Sequence, residues 1–420
     1  MAEKKKRAGA INKNPSATAG RAAENQPDGD GSTEDTPSGP RKSALLDLLY
    51  STGAKAVLAE PAPDLGLAEQ RPFPFMALVG QTEMRVALLL AVINPNVGGV
   101  LLIGQRGTGK TTAVRSLTGL LPAVEVSDCE EGVTEADLQN EFAATLFPDC
   151  YEKYQRGEAI SHYEAVKLVE LPLTARLEDV VGGINERIAV QRNQIRLERG
   201  ILARADNNIL YVDEVNLLED TIVDAILDAA AQGNYTVRRG PMVGTYRSRF
   251  VLVGSMNPEE GNLRPQILDR FGLRVGVRGL QETGERREVF ERMRDYRAHA
   301  TAFIRRYEVA TAEARDEILL ARERLTQTIL TDEAMDAGFA LVKRLDIDSH
   351  RADYVMFEAA RAHAAADGRI VATINDLTTV APLALRQRRS PYMQQYFTEQ
   401  AQEDELIHEA LHANGNSKGQ

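Results

Sequence analysis

Val100-Leu101-Leu102-Ile103-Gly104-Gln105-Arg106-Gly107-Thr108-Gly109-Lys110-Thr111-Thr112 is the stretch that decides the fold. Four apolar residues read as a buried parallel strand. They run into G-x-x-x-x-G-K-T, and the helix-compatible Ala113-Val114-Arg115-Ser116-Leu117 follows. Strand, glycine-rich loop and helix in that order are the context a phosphate-binding loop needs. Gly104, Gly107 and Gly109 let backbone N–H groups turn toward phosphate, and the helix N-terminus adds its positive end. Gln105, Arg106, Thr108 and Thr112 complete the cradle. Lys110 is expected to reach the β- and γ-phosphates, and Thr111 to ligate magnesium. The expected cofactors are therefore ATP and Mg2+.

The other parts of an ATPase follow downstream. Ile209-Leu210-Tyr211-Val212 reads as a central strand that delivers Asp213 and Glu214 at its C-terminal end. Ligands of parallel sheets bind at that end. Asp213 is the candidate magnesium ligand, and Glu214 the group that orients and polarises the attacking water. In the next segment Ile222, Val223, Ile226, Leu227 and Ala230 share a helix face, with Gly233 as the stop. A third strand, Phe250 to Ser255, leads to Met256-Asn257-Pro258. Asn257 is expected to hydrogen-bond the γ-phosphate or the lytic water, and the Asn-Pro pair also favours a turn. The run Leu263 to Leu273 carries Arg264 and Arg270, and either can serve a neighbouring subunit's ATP.

The 420 residues exceed what one simple core holds. Residues 1–42 are polar and read as a disordered tail, and 43–70 as a linker with a short helix over Ser43–Leu49. Residues 71–280 alternate strands with helices, the pattern of a parallel α/β sheet. Residues 281–390 read as all-helical, and 391–420 as a fraying polar tail. A formal net charge of −11 argues against nucleic acid as the main partner. Cys129 and Cys150 form no C-x-x-C pair, so a disulfide framework and a zinc site are not expected. A reducing, cytoplasmic setting is expected instead. No apolar run is long enough for a membrane span, and no secretory signal is read. His408-Glu409-Ala410-Leu411-His412 spells H-E-x-x-H, but no third ligand follows, and it reads as the end of a frayed helix.

Three segments carry a family resemblance: FPFMALVGQTEMRVALLLAVINPNVGGVLLIGQRGTGKTT, ILYVDEVNLL and FVLVGSMNPEEGNLRPQILDRFGL. They resemble the AAA+ ATPase subunit of magnesium chelatase, the BchI/ChlI family, across about residues 71–390. RADYVMFEAARAHAAADGR is similar to that family's second domain. The resemblance implies an α/β AAA+ P-loop NTPase core with a parallel sheet and a C-terminal all-helical lid domain. By position, Val79-Gly80-Gln81 resembles the adenine-side motif and Arg270 the arginine finger. Arg351 matches the helical-domain arginine that senses nucleotide. Two inserted hairpins are implied, over Leu171–Ala205 and Tyr235–Arg249. The chain departs from the family at Gln105, Thr111 and Met256, in the basic pair Arg238-Arg239, and in its longer N-terminal tail.

The resemblance implies a homo-oligomeric ring, expected to be a hexamer, with ATP held between neighbours. It implies two partners: an AAA+ subunit with an integrin-like domain and a large porphyrin-binding subunit. The implied reaction is ATP-dependent Mg2+ insertion into protoporphyrin IX, toward chlorophyll or bacteriochlorophyll, with no nucleic acid and no membrane involved. Three alternatives share the ATPase residues. They are a protein-remodelling chaperone with an integrin-like partner, a cobalt chelatase subunit, and a DNA motor supported by Arg238, Arg239, Arg247 and Arg249.

Overall fold

The computed structural model describes residues 72–129, 133–139, 143–184, 197–240 and 242–389, with scattered residues between 395 and 406. The expected tail, the helix over Ser43–Leu49 and the His408–His412 motif lie outside the described residues. Five strands form the central sheet: β1 (Val100–Ile103), β2 (Leu168–Leu171), β3 (Ile209–Val212), β4 (Val251–Met256) and β5 (Leu273–Gly276). All pair parallel in the order β5-β1-β4-β3-β2. β4 lies between β1 and β3, with Leu102 opposite Ser255 and Val212 opposite Gly254. That register brings the C-terminal ends of the three strands side by side.

The apolar runs of β1 and β3 are unbroken because both faces of the sheet are covered there. In β1, Val100 and Leu102 enter one core, while Leu101 enters the other. The helices that position the site are α1 (Thr82–Ile93), α2 (Lys110–Leu117), α3 (Asp220–Gln232), α4 (Pro265–Arg270) and α5 (Thr283–Ala298). Further along come α6 (Glu308–Leu325), α7 (Asp332–Arg344), α8 (His350–Ala366) and α9 (Ile374–Leu385). In α3, Ile222, Val223, Ile226 and Leu227 are buried in the second core, and Gly233 ends the helix at φ 68°. That left-handed conformation suits glycine as a C-terminal stop.

α8 buries a row of alanines, among them Ala352, Ala359, Ala362 and Ala365, in the first core. Small side chains let it pack closely on both α9 and α1. Asn94, at the end of α1, donates to the Glu358 carboxylate at 2.7 Å and fixes the α8 contact. α9 packs against the edge strand β5. The change of pattern near residue 280 is therefore a change of secondary structure, while one hydrophobic core runs across it.

Three local features differ from or refine the sequence reading. The all-helical region contains a two-residue parallel pair, Ile329–Leu330 with Val371–Ala372. The first inserted hairpin pairs Gly182–Ile184 with Leu197–Arg199, and the second pairs Asn234–Arg239 with Met242–Arg247. A satellite core that the sequence did not announce holds Cys129, Val133, Leu138, Cys150 and Ile160. It uses both cysteines as small buried hydrophobes, and neither forms a disulfide.

Candidate functional site

The loop between β1 and α2 owes its shape to glycine at two positions. A side chain at Gly104 would place its Cβ 2.1 Å from the Val277 carbonyl oxygen, so only glycine fits against the end of β5. Gly109 has φ 88°, which turns the chain into the first turn of α2. Lys110 opens that helix and is nearly buried. Its Nζ donates to the Gly104 and Gln105 carbonyl oxygens at 2.6 and 2.8 Å. Burial lowers its pKa, while Asp213, Glu214 and Glu260 pull the other way.

The ends of β3 and β4 meet this loop. Thr111 Oγ1 lies 3.1 Å from the Tyr211 hydroxyl, which donates to Asp213 Oδ1 at 2.9 Å. Ser255 Oγ donates to the same oxygen. Burial pushes the Tyr211 phenol up to about 12, so it keeps its proton as a donor. Thr111 and Asp213 thus sit on one hydrogen-bonded chain. Their oxygens suit Mg2+, which takes one or two protein ligands and fills the rest of its shell with water and phosphate.

Glu214 adopts φ 50° and ψ 48°, a left-handed conformation that is strained for a residue with a side chain. Its carboxylate pairs with Arg106 Nη2 at 2.7 Å, and Arg106 also reaches Glu260 at 2.8 Å. Gln105 donates to Glu259 at 2.8 Å. Asn257 is buried at the end of β4, and its Oδ1 accepts from the Glu259 amide at 3.4 Å, capping the turn Pro258–Glu260. The Gly104 amide donates to Met256 O at 3.0 Å, which joins the loop to the residue before Asn257.

Beside the loop opens a cavity of about 370 Å³, lined on one side by Val79, Gln81 and Met84 and on another by Gly107, Gly109 and Thr112. Gly80 has φ 59°, and a Cβ there would meet Leu280 at 2.6 Å. Gln81 Nε2 donates to Arg278 O at 2.6 Å. The expected base-side segment therefore faces the expected phosphate loop across one cavity. α5 adds Arg286, Val289, Arg292 and Met293 to the lining.

Two kinds of site residue escaped the sequence reading. Tyr211 reads from the sequence as an apolar strand residue, although the two-residue repeat puts it on the same strand face as Asp213. Arg286, Val289 and Met293 recur at i, i+3 and i+7, which was the available signal for one face of α5.

Arg351 does not line this cavity. It lies in the first turn of α8 as an exposed residue, two positions after Ser349, whose hydroxyl donates to Asp269 at 3.3 Å. That bond ties the start of α8 to Asp269, the residue before Arg270. Arg264 pairs with Asp220 at 2.5 Å, and Arg270 with Asp224 at 3.1 Å and Asp228 at 2.9 Å. These three aspartates stand four residues apart on α3, so both candidate arginines rest on one acidic stripe of their own chain.

Of the four arginines that supported DNA, three are tied to their own chain. Arg239 donates to Gly182 O at 3.5 Å, Arg247 pairs with Asp137, and Arg249 lies 3.9 Å from Asp206. Among the described residues no helix is long and apolar enough to cross a membrane.

Comparison with known proteins adds the following. The AAA domain family (dynein-related subfamily) matches residues 99–271, and the AAA lid domain family matches 340–410. A magnesium-chelatase subunit ChlI homolog of Methanocaldococcus jannaschii is 41% identical over 327 residues, covering 76% of this chain and 87% of that protein. The magnesium-chelatase 38 kDa subunit of Rhodobacter capsulatus is 40% identical over 338 residues, covering 80% and 93%. A solved complex between subunits BchI and BchD of magnesium chelatase aligns at 38% identity over 76% of this chain and 97% of that chain, with a TM-score of 0.44.

Proposed function

This chain belongs to the ChlI/BchI family of magnesium-chelatase subunits, and from that premise we propose that it is the ATPase motor of a magnesium chelatase. ATP hydrolysis by this subunit would drive insertion of Mg2+ into protoporphyrin IX, in chlorophyll or bacteriochlorophyll synthesis. One observation carries the reading. Lys110, Thr111, Asp213, Glu214 and Asn257 converge at the C-terminal ends of three adjacent parallel strands, next to a cavity that Val79 and Gln81 line.

Each residue then has a task. The base enters the cavity along Val79–Gln81, and loop amides from Gly104 to Thr112 hold the phosphates. Lys110 exchanges its two loop carbonyls for β- and γ-phosphate oxygens. Thr111 and Asp213 would hold the nucleotide's magnesium ion, which would neutralise phosphate charge there. Glu214 leaves Arg106 to accept a hydrogen bond from the attacking water. Asn257 has its carbonyl oxygen engaged by Glu259, so its amide nitrogen remains to donate to the γ-phosphate or the water.

Arg270 would stabilise charge on the γ-phosphoryl group of a neighbouring subunit, in a ring that we take to be a hexamer. Arg351, at the start of α8, would sense nucleotide from the helical region. The partners would be the AAA+ subunit with an integrin-like domain and the large porphyrin-binding subunit, in the cytoplasm.

The test is porphyrin metallation with both partner subunits, ATP, Mg2+ and a soluble porphyrin, followed by metalloporphyrin fluorescence. Product that requires this chain with Lys110 intact supports the motor. ATP hydrolysis without product, restored when cobalt replaces magnesium, moves the assignment to another metal.

A further inference from the structure

The segment that carries Arg270 is held in an unusual way. Arg388, just beyond α9, has a side chain with no exposure to solvent. It finds five acceptors for its five N–H donors. Nε donates to Ala384 O at 2.6 Å, Nη1 to Asp269 Oδ1 at 2.6 Å and Asp269 O at 3.3 Å, and Nη2 to Gly272 O at 3.0 Å and Phe271 O at 3.3 Å. Arg274 on β5 is equally buried, at 1% exposure. Its Nη2 donates to Leu268 O at 2.6 Å, and its Nη1 to Gln387 O at 2.7 Å and Arg386 O at 3.1 Å. The carbonyls of residues 268, 269, 271 and 272 are thus all taken by two buried guanidiniums, two on each side of Arg270. Nearby, Gly272 fits so tightly on the turn after α1 that a Cβ would stand 1.5 Å from Val97 O.

Such burial is costly. Two cations removed from water lose much of their hydration before their hydrogen bonds offset it, and apolar side chains of similar volume often do as well for stability. Arg274 even keeps Nε buried without an acceptor. Burial and the neighbouring Arg388 both push its pKa down. Arg264 has no comparable support: it precedes α4, is largely exposed and has Asp220 as its ion-pair partner. The arrangement spends desolvation on geometry at one residue.

We propose that Arg388 and Arg274, together with Asp269, are positioning residues that clamp the backbone on both sides of Arg270 and so hold its side chain in place for the nucleotide of the next subunit. The proposal rests on the reading of Arg270 as the arginine finger. The clamp is made by the chain that leaves the helical region, so a shift of α9 moves the finger with it. The side chain of Arg270 rests on Asp224 and Asp228 of its own subunit and swings from there, while its backbone stays fixed.

Subunit mixing separates positioning from folding. Arg388→Lys keeps a charge but loses the fork, and Asp269→Asn loses the carboxylate at a half-exposed position. Each variant alone is expected to lose about thirtyfold or more in kcat, with KM for ATP within about threefold of the parent. The sites of these variants remain intact and lack only a well-placed finger. Lys110→Ala subunits are hydrolytically silent but carry an intact Arg270. Mixing them with either variant is therefore expected to restore hydrolysis several-fold above the sum of the two preparations. Arg270→Ala mixed with Lys110→Ala serves as the control and should be restored in the same way.

Full activity of both clamp variants alone overturns the clamp. So does restoration of Arg270→Ala without restoration of the clamp variants, which assigns Arg388 and Asp269 to folding. Failure to restore Arg270→Ala overturns the finger reading itself, and the clamp with it.

Discussion

The phosphate loop and the segment around Arg270 each carry an arginine for which a role at nucleotide is proposed, yet they are held by opposite means. Arg106 in the loop is largely exposed, and its partners Glu214 and Glu260 keep about a fifth of their side-chain surface open. Lys110 is bonded only to carbonyls of its own loop. Every one of these contacts can be exchanged for a phosphate oxygen. The segment around Arg270 is backed by guanidiniums with essentially no exposure, bonded to main-chain carbonyls and to the Asp269 carboxylate out of reach of solvent. Where a ligand must enter, the chain uses contacts that give way. Where the proposed finger would be delivered to another subunit, the chain uses contacts that hold.

The largest expected effect tests delivery. Arg270→Ala should lower kcat by about a thousandfold while leaving nucleotide affinity nearly unchanged, because the residue acts on a transition state in another subunit. Steady-state ATPase rates beside equilibrium binding of a fluorescent nucleotide read both quantities. Normal turnover would move the finger to Arg264 and remove the contrast altogether. Lys110→Ala comes next and strikes the exchangeable side. Its loss should appear in binding, with affinity falling about a hundredfold, as expected for removal of a charged phosphate contact. If affinity survives and only turnover falls, the loop amides carry the binding and Lys110 belongs with the catalytic groups.

How much of this was legible in the sequence follows the same division. The exchangeable side is written locally: Gly104 to Thr112 are contiguous, and Asp213 and Glu214 stand at the end of a run of four apolar residues. Even the place of Asn257 on a strand between the two nucleotide motifs was readable, and β4 does lie between β1 and β3. The fixed side is written across more than a hundred residues. In Leu385-Arg386-Gln387-Arg388-Arg389, periodicity gives no reason to bury one arginine and expose the next, and only the packing of α9 on β5 takes Arg388 inside. Arg274 sits in a strand whose other residues are apolar or glycine, a local conflict that marks a buried charge, although its partners cannot be read from it. Tyr211 hid for the opposite reason, since its ring is a normal strand residue and only its hydroxyl belongs to the site.

A stability measurement tests the fixed side without any assay of turnover. Asp269→Asn leaves Arg388 buried with a weakened partner, and a hydrogen bond to a charged group contributes about 2 kcal/mol. Urea unfolding should show a loss of that order with an unchanged m-value. A loss near zero would mean that the carbonyls alone hold Arg388, and that Asp269 is there for Ser349.

The smallest effect belongs to Arg106→Ala, and its smallness is the point. Arg106 makes two ion pairs of 2.7 and 2.8 Å, nearly as short as the 2.6 Å pair between Arg388 and Asp269. Distance alone would rank the two arginines together. Exposure separates them, because solvent screens the Arg106 pairs and the chain must order a long side chain to make them. The expected cost of Arg106→Ala is at most about 0.5 kcal/mol, a shift of about 1–2 °C in Tm for a core of this size. Differential scanning calorimetry of the nucleotide-free protein measures it directly. A shift above about 5 °C would show that the loop is locked rather than poised, and that Glu214 is bound to Arg106 as firmly as Asp269 is to Arg388. Glu214 would then be unable to turn to the water without a large rearrangement, and the loop would need a trigger of its own.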